Sequence, residues 1–92
     1  MKGNEAWQTL VGQQVVVDTD SRWVYIGTYA GEDGTSIILE NADAYDCDET
    51  TLTRHEYLRM VSQDGVVPNR RRVRILRHQV VAVSLLSDII VE

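Results

Sequence analysis

Residues 22–30 read RWVYIGTYA, and this stretch decides the fold. Four alternate positions, 23, 25, 27 and 29, carry the pattern. Three of them are aromatic, Trp23, Tyr25 and Tyr29, and the remaining one is Gly27. A period of two is typical of a β-strand. Glycine in the middle of a strand indicates a sharp bend where a sheet curls. We therefore predict a strongly bent strand over 22–30.

The segments on either side of this strand predict two neighbours. Residues 13–19 are rich in valine and end at the turn signal Asp20-Ser21. A second turn over 31–34 leads into a third strand over 35–42, centred on Ile38. Because the connections are short, the three strands are expected to form an antiparallel meander.

Two further strands are predicted near the end of the chain, over 71–76 and 79–86, with Arg77-His78 as their connection. Five short, bent strands favour a small antiparallel β-barrel over a flat sheet. An open edge of such a barrel would expose unpaired backbone groups, which an identical neighbour could pair with. Such a contact is head-to-tail, so it predicts a ring of copies.

Two helices are predicted outside the strands. Asn4–Val11 has an N-cap residue, an apolar stripe and a following Gly12. Thr53 and Glu56 have the spacing of a capping box, which predicts a helix over 54–63. A strand over 57–61 is the alternative. The helix would lie in an excursion over 45–69, between the third and fourth strands of a single domain spanning 1–92.

Composition excludes several classes of protein. The chain has 92 residues and one cysteine, Cys47, which rules out an intrachain disulfide framework and a zinc site built on cysteines. Its longest apolar run, Val80–Val83, is far shorter than the roughly 20 residues of a membrane span. The first residues lack the pattern of a signal peptide, so we expect a cytoplasmic protein with no membrane partner.

The charge is unevenly distributed. The net charge is −5, yet residues 1–49 carry a net of −8 and residues 50–92 a net of +3. Five arginines fall between Arg70 and Arg77. A locally basic face is therefore expected on an acidic protein.

Four segments together carry a resemblance to the Sm-like superfamily, which includes the bacterial RNA chaperone Hfq. Residues 10–17 look like its opening, the end of a helix followed by a valine-rich first strand, and residues 25–29 look like its second strand with the glycine inside it. Asp33 and residues 37–44 look like its third strand and the acidic exit of that strand. Residues 75–83 look like its second sequence motif, in which Arg77-His78 is similar to a basic pair found at this point. The resemblance implies a divergent bacterial or phage-type member that forms a homo-oligomeric ring of five to seven copies. It also implies single-stranded RNA as the partner, with Arg77 and His78 at the central pore.

The chain departs from the superfamily's pattern in its base-reading loop. That loop usually offers an aromatic or planar side chain and an amide, whereas this chain offers Gly34, Thr35 and Ser36. Thr35 and Ser36 are therefore the residues that the resemblance places at RNA. His78 stands where a glycine often follows the arginine, and the 45–69 excursion is long for the family.

Arg72 and Arg74 are further candidates for RNA contact. They share one face of the fourth strand, so a ring would repeat them as a basic band. The alternative is that they form ion pairs with the acidic segment 43–49 of the same or a neighbouring subunit, a segment that we expect to be exposed. For Arg77 and His78 the alternative is a structural role, with Arg77 on a neighbour's carboxylate and His78 capping a turn.

Other side chains point to structure and not to chemistry. The acidic segment lacks the glycine and the ligand spacing of a calcium loop, and nothing marks a nucleophile–base pair, so no metal, cofactor or catalytic site is predicted. Trp7, Trp23, Tyr25 and Tyr29 are interpreted as core or subunit interface. Two functions remain open: a non-enzymatic RNA-binding ring, and an assembly or protein-interaction ring that binds no nucleic acid.

Overall fold

The computed structural model describes residues 7–91 and places five antiparallel strands in one sheet. The strands are β1 (Gln14–Thr19), β2 (Trp23–Glu32), β3 (Ser36–Asp46), β4 (Arg70–Leu76) and β5 (Val80–Leu85). Their order across the sheet is β4-β3-β2-β1-β5. A helix, α1 (Arg54–Asp64), lies between β3 and β4, and short 3-10 turns cover Arg77–Gln79 and Leu86–Asp88. The predicted mainly-β architecture with five antiparallel strands is confirmed.

The sheet curls because β2 and β3 approach each other closely at Gly27. A Cβ atom at Gly27 would lie 2.8 Å from the Cβ of Ala42 and 2.9 Å from its Cα. The register of β2 against β3 shifts here, and Asn41 takes a left-handed backbone conformation with φ 49°. As a result Ile37 of β3 and Val80 of β5 border one cavity, although β2 and β1 lie between these two strands in the sheet order.

Alternation along the strands produces two cores on opposite faces of the sheet. Val15 and Val17 point into the first core, whereas Val16 between them points into the second. The first core is the inner face of the curled sheet. Its buried members within the described residues are Val15, Val17, Tyr29, Ile37, Leu39, Ala42 and Ile75.

Helix α1 covers the outer face and completes the second core. Its buried residues Tyr57, Leu58 and Val61 pack with Val24 and Ile26 of β2. The helix begins with the predicted capping box, in which Thr53 and Glu56 each accept a hydrogen bond from the other's backbone N–H. The prediction of a helix over 54–63 is confirmed, and the strand alternative is wrong.

The acidic segment is less exposed than predicted, because β3 continues to Asp46 instead of ending at 42. Ala44 is buried, and its backbone N–H and C=O are both bonded by the side-chain amide of Asn69. The same amide donates to Asp43. A residue 25 positions away thus holds this part of the strand in place.

The first predicted helix, Asn4–Val11, begins outside the described residues. Within the described part, Trp7 and Gln8 are helical and residues 9–12 form turns. Trp7 and Leu10 pack against the first core. The full extent of this helix stays a prediction.

Candidate nucleic-acid interface

The turn between β4 and β5 presents Arg77 and His78 to solvent. Both residues are exposed, and they occupy the first two positions of the 3-10 turn. The backbone N–H of Arg77 donates to the carbonyl oxygen of Thr35 at 2.8 Å. This bond ties the turn to the connection between β2 and β3, so Arg77, His78, Thr35 and Ser36 lie at one end of the sheet.

The β2–β3 connection is organised by Asp33. One oxygen of its carboxylate accepts hydrogen bonds from the Ser36 hydroxyl at 2.8 Å and from the Ser36 backbone N–H at 2.9 Å. The Ser36 hydroxyl is the largest cause that lowers the pKa of Asp33. Thr35 is exposed, whereas Ser36 is buried with its hydroxyl bonded to Asp33. Of the two predicted contact residues in this loop, only Thr35 presents its side chain to solvent.

Arg77 pairs with a carboxylate of its own chain. Its Nη1 atom lies 3.0 Å from Oε1 of Glu32, whose side chain is only 16% exposed. The Arg77 side chain is itself 42% exposed, so one part of the guanidinium faces Glu32 while another part meets solvent. His78 has no ion pair or hydrogen bond within residues 7–91.

Arg72 and Arg74 also form intrachain ion pairs, but with other partners than expected. Arg72 pairs with Glu40, which lies directly opposite on β3, and Arg74 pairs with Asp33. The alternative that they pair with the segment 43–49 of the same chain is therefore wrong, and pairing with that segment of a neighbouring copy stays a prediction. That segment instead supplies Asp46 and Glu49 to Arg22, since Asp46 lies opposite Trp23 in the β2–β3 register.

These pairs leave two arginines of β4 without a carboxylate partner in the described part of the chain. Arg70 donates to the adjacent carbonyl of Asn69, and Arg71 borders an open cavity beside Glu40. The basic cluster of the sequence is thus largely neutralised within the protomer. Exposed ion pairs of this kind contribute only about 0–1 kcal/mol each, so a phosphate can compete for the arginines.

A cavity of about 570 Å³ opens beside Arg77. It is lined by Gln8, Val11, Tyr29, Gly31, Glu32, Gly34 and Arg77. Sequence reasoning misses Glu32 as part of this site, because it lies far before Arg77 along the chain and only the folded sheet brings them together. Tyr29, which the sequence assigns to the core, is 1% exposed and also lines this cavity.

No group of three or more histidine, cysteine, aspartate or glutamate side chains within residues 7–91 is placed to hold a metal ion. No helix in the same range has the length and apolar character needed to cross a membrane. Tyr29 is buried as predicted for a core aromatic, and Trp23 stacks on Tyr25 at a centroid distance of 6.4 Å.

Comparison with known proteins identifies the fold. No family model matches the sequence, and no curated protein matches it. Among solved structures, the chain is similar to the Sm protein of Pyrococcus abyssii, solved in complex with a uridine heptamer. The two share 18% sequence identity with a TM-score of 0.59, over 88% of this chain and 93% of the archaeal one. The fold is therefore Sm-like.

Proposed function

We propose that this chain is a non-enzymatic protein that binds single-stranded RNA, with Arg77 and His78 as its principal contacts. The observation that carries the proposal is the exposed Arg77–His78 turn, bonded to the β2–β3 connection at one end of an Sm-like sheet. The archaeal protein of the same fold was solved with a uridine heptamer. A single domain over 1–92 and a cytoplasmic location belong to the same proposal.

The chemistry of the two side chains suits an RNA strand. The planar guanidinium of Arg77 can bond a phosphate with two donors or stack on a base. The imidazole of His78 can stack and can exchange hydrogen bonds with a base edge. Thr35, exposed beside them, adds a hydroxyl at the same end of the sheet, which in the free protein donates a long hydrogen bond of 3.4 Å to Asp33.

The proposal includes a homo-oligomeric ring of five to seven copies. β4 and β5 end the sheet order, so each has one side without a strand partner in the described residues. Such edges pair readily with another chain. Pairing β4 of one copy with β5 of the next would be a head-to-tail contact. Repeated contacts of this kind form a closed ring when a whole number of copies completes one full turn. Each copy would then bring one Arg77–His78 turn to a shared surface.

Arg72 and Arg74 are proposed as secondary phosphate contacts. Their side chains are 58% and 55% exposed, although each is paired with a carboxylate. The salt dependence of binding is measured as the slope of log K against the logarithm of the salt concentration. Replacing both arginines by alanine should make this slope shallower by about 0.7 for each phosphate that is no longer neutralised. An unchanged slope would remove these two residues from the interface.

The main experiment combines light scattering with a binding titration. We expect a mass of five to seven copies, and we expect fluorescein-labelled oligouridine to bind at low salt. The double substitution Arg77→Ala with His78→Ala should abolish most of this binding and leave the mass unchanged. The matched control is Arg59→Ala with His55→Ala, which removes the same two residue types from α1. Equal loss in both double variants would contradict the assignment of the site.

An assembly or protein-interaction ring is the second candidate. The net charge of −5 and the pairing of Arg72, Arg74 and Arg77 with carboxylates of the same chain favour it. A ring that binds neither oligouridine nor oligoadenine at low salt would support this candidate. A monomer at micromolar concentration would contradict both.

A further inference from the structure

Tyr29 carries a buried hydroxyl group that has no partner among residues 7–91. The residue is 1% exposed, and its hydroxyl oxygen makes no hydrogen bond within the described part of the chain. Buried polar groups in proteins are nearly always bonded, so an exception calls for an explanation. The ring of Tyr29 packs in the first core beside Trp7, but packing alone would be served equally well by phenylalanine.

Glu32, three residues further along β2, also has a buried oxygen atom without a hydrogen bond among residues 7–91. Its Oε1 atom is buried and lies 3.0 Å from Nη1 of Arg77, yet no donor within residues 7–91 is aligned with it for a hydrogen bond. The contact with Arg77 is therefore an attraction of charges without a directed bond. A small movement of Arg77 would leave the buried Oε1 atom of Glu32 with no partner in the described residues.

Tyr29 and Glu32 line one cavity together with Arg77. The charges of Glu32 and Arg77 act on the Tyr29 hydroxyl in opposite directions: burial is the main cause that raises the pKa of Tyr29, Glu32 raises it further, and Arg77 lowers it. All three residues line this one cavity, so a change in the pairing of Glu32 and Arg77 changes the surroundings of the Tyr29 hydroxyl.

We propose that Tyr29 is a positioning residue whose hydroxyl donates a hydrogen bond to Glu32 when Arg77 leaves Glu32 for an RNA phosphate. This inference rests on the proposed function. In the free protein Arg77 stays on Glu32, which neutralises the arginine and restrains it. When a phosphate draws the guanidinium away, the Tyr29 hydroxyl donates to the Glu32 carboxylate. Tyr29 thereby lowers the cost of releasing Arg77, without touching RNA.

The test is a double-mutant cycle between Tyr29→Phe and Glu32→Gln, with labelled oligouridine as the probe. Tyr29→Phe alone should weaken binding by about two- to tenfold, the lower part of the range for residues coupled within one network. Glu32→Gln alone should strengthen binding, because Arg77 loses its internal competitor. In the Glu32→Gln background, Tyr29→Phe should have no effect, since no charge remains to be stabilised.

Thermal stability separates this role from a structural one. Because Tyr29→Phe removes only an unbonded hydroxyl, the free variant should be as stable as the wild type, or more stable. Tyr25→Phe, on the same strand and partly exposed, is the matched control and should change neither affinity nor the cycle. Equal weakening by Tyr29→Phe in both Glu32 backgrounds would overturn the inference, even where binding depends on Arg77. Absence of any Arg77-dependent binding would overturn the proposed function itself.

Discussion

At the scale of single residues, Gly27 determines how closely two strands can approach. Its missing side chain leaves room for Ala42, whose Cα atom would lie 2.9 Å from a Cβ at this position. The obstacles are the Cβ and Cα atoms of Ala42, neither of which can rotate away, so the sheet would have to open for any larger residue to fit. The bend of the sheet, and through it the position of both turns at the candidate site, depends on this close approach.

We expect Gly27→Ala to lower the free energy of unfolding by about 1–3 kcal/mol, as overpacking of a close contact does. Urea denaturation followed by tryptophan fluorescence measures this change. Ala30→Val is the control, since residue 30 is exposed on the same strand. A variant at position 27 as stable as the wild type would show that the sheet relaxes without cost.

Asp33 is the second residue with a defined local role. Hydrogen bonds from Ser36 and Thr35 stabilise its charged form and lower its pKa, with a smaller contribution from Arg74. The same carboxylate therefore shapes the β2–β3 connection and holds one arginine of β4. Charge at this position is coupled to the geometry of the loop.

This coupling predicts a pH dependence with a defined sign. Because the folded pKa lies below the unfolded value, the stabilisation is present above the ordinary aspartate pKa of about 3.9 and is lost as the pH falls through the lowered folded value. Urea denaturation of the wild type between neutral and strongly acidic pH should show this loss. Asp33→Asn should lack that component, and Ser36→Ala should raise the pKa of Asp33 towards its ordinary value. Identical pH profiles for wild type and Asp33→Asn would contradict the assignment.

At the scale of elements, α1 is held by local and distant contacts together. The capping box fixes its first turn, and Tyr57 donates to Asp43 while its ring stacks on Tyr45 at a centroid distance of 3.6 Å. Burial is the main cause that raises the pKa of Tyr57, so this phenol remains a donor throughout the ordinary pH range. The helix is thus attached to β3 through one hydrogen bond and one aromatic stack.

We expect Thr53→Ala to lower the free energy of unfolding by about 1 kcal/mol, the usual effect of removing an N-cap side chain. Thr51→Ala, in the exposed loop before the helix, is the matched control and should be close to neutral. Thermal denaturation of the two variants compares them directly. If both lose the same stability, the cap contributes nothing beyond the loop.

Local patterns explain which elements can be predicted from the sequence. The strands follow a period of two, and α1 follows a capping box that is complete within a few residues, so both are visible in the sequence. The extension of β3 to Asp46 is not, because residues 43–46 pair with β2 and Ala44 is bonded by the distant Asn69 side chain. The same limit applies to the site: Arg77 and His78 lie in a local turn signal, whereas Glu32 joins Arg77 only through the curl of the sheet.

At the scale of the whole molecule, the edges of the sheet at β4 and β5 determine how copies of the chain are expected to associate. β4 and β5 lie at opposite ends of the sheet order, so one protomer offers two different edges to its neighbours. Apolar side chains remain exposed near both, with Leu76 45% and Val81 67% exposed. Burial of these residues between copies would add to the backbone pairing.

A ring held in this way should melt at a temperature that rises with protein concentration, because association stabilises the folded state by mass action. Differential scanning calorimetry across a wide range of concentration measures the shift. A monomeric protein would melt at one temperature throughout. That outcome, with a monomer mass by light scattering, would remove the ring from the proposal.

The second core has a consequence for how this sequence can change over time. Its members within residues 7–91 come from β1, β2, α1 and the turn after β5, and none comes from β4 or β5 themselves. Substitutions on the helix therefore alter protomer stability while leaving the free edges as they are. Sequence change in this one segment can therefore remodel the outer surface of the protomer without rebuilding the edges by which the proposed ring would assemble.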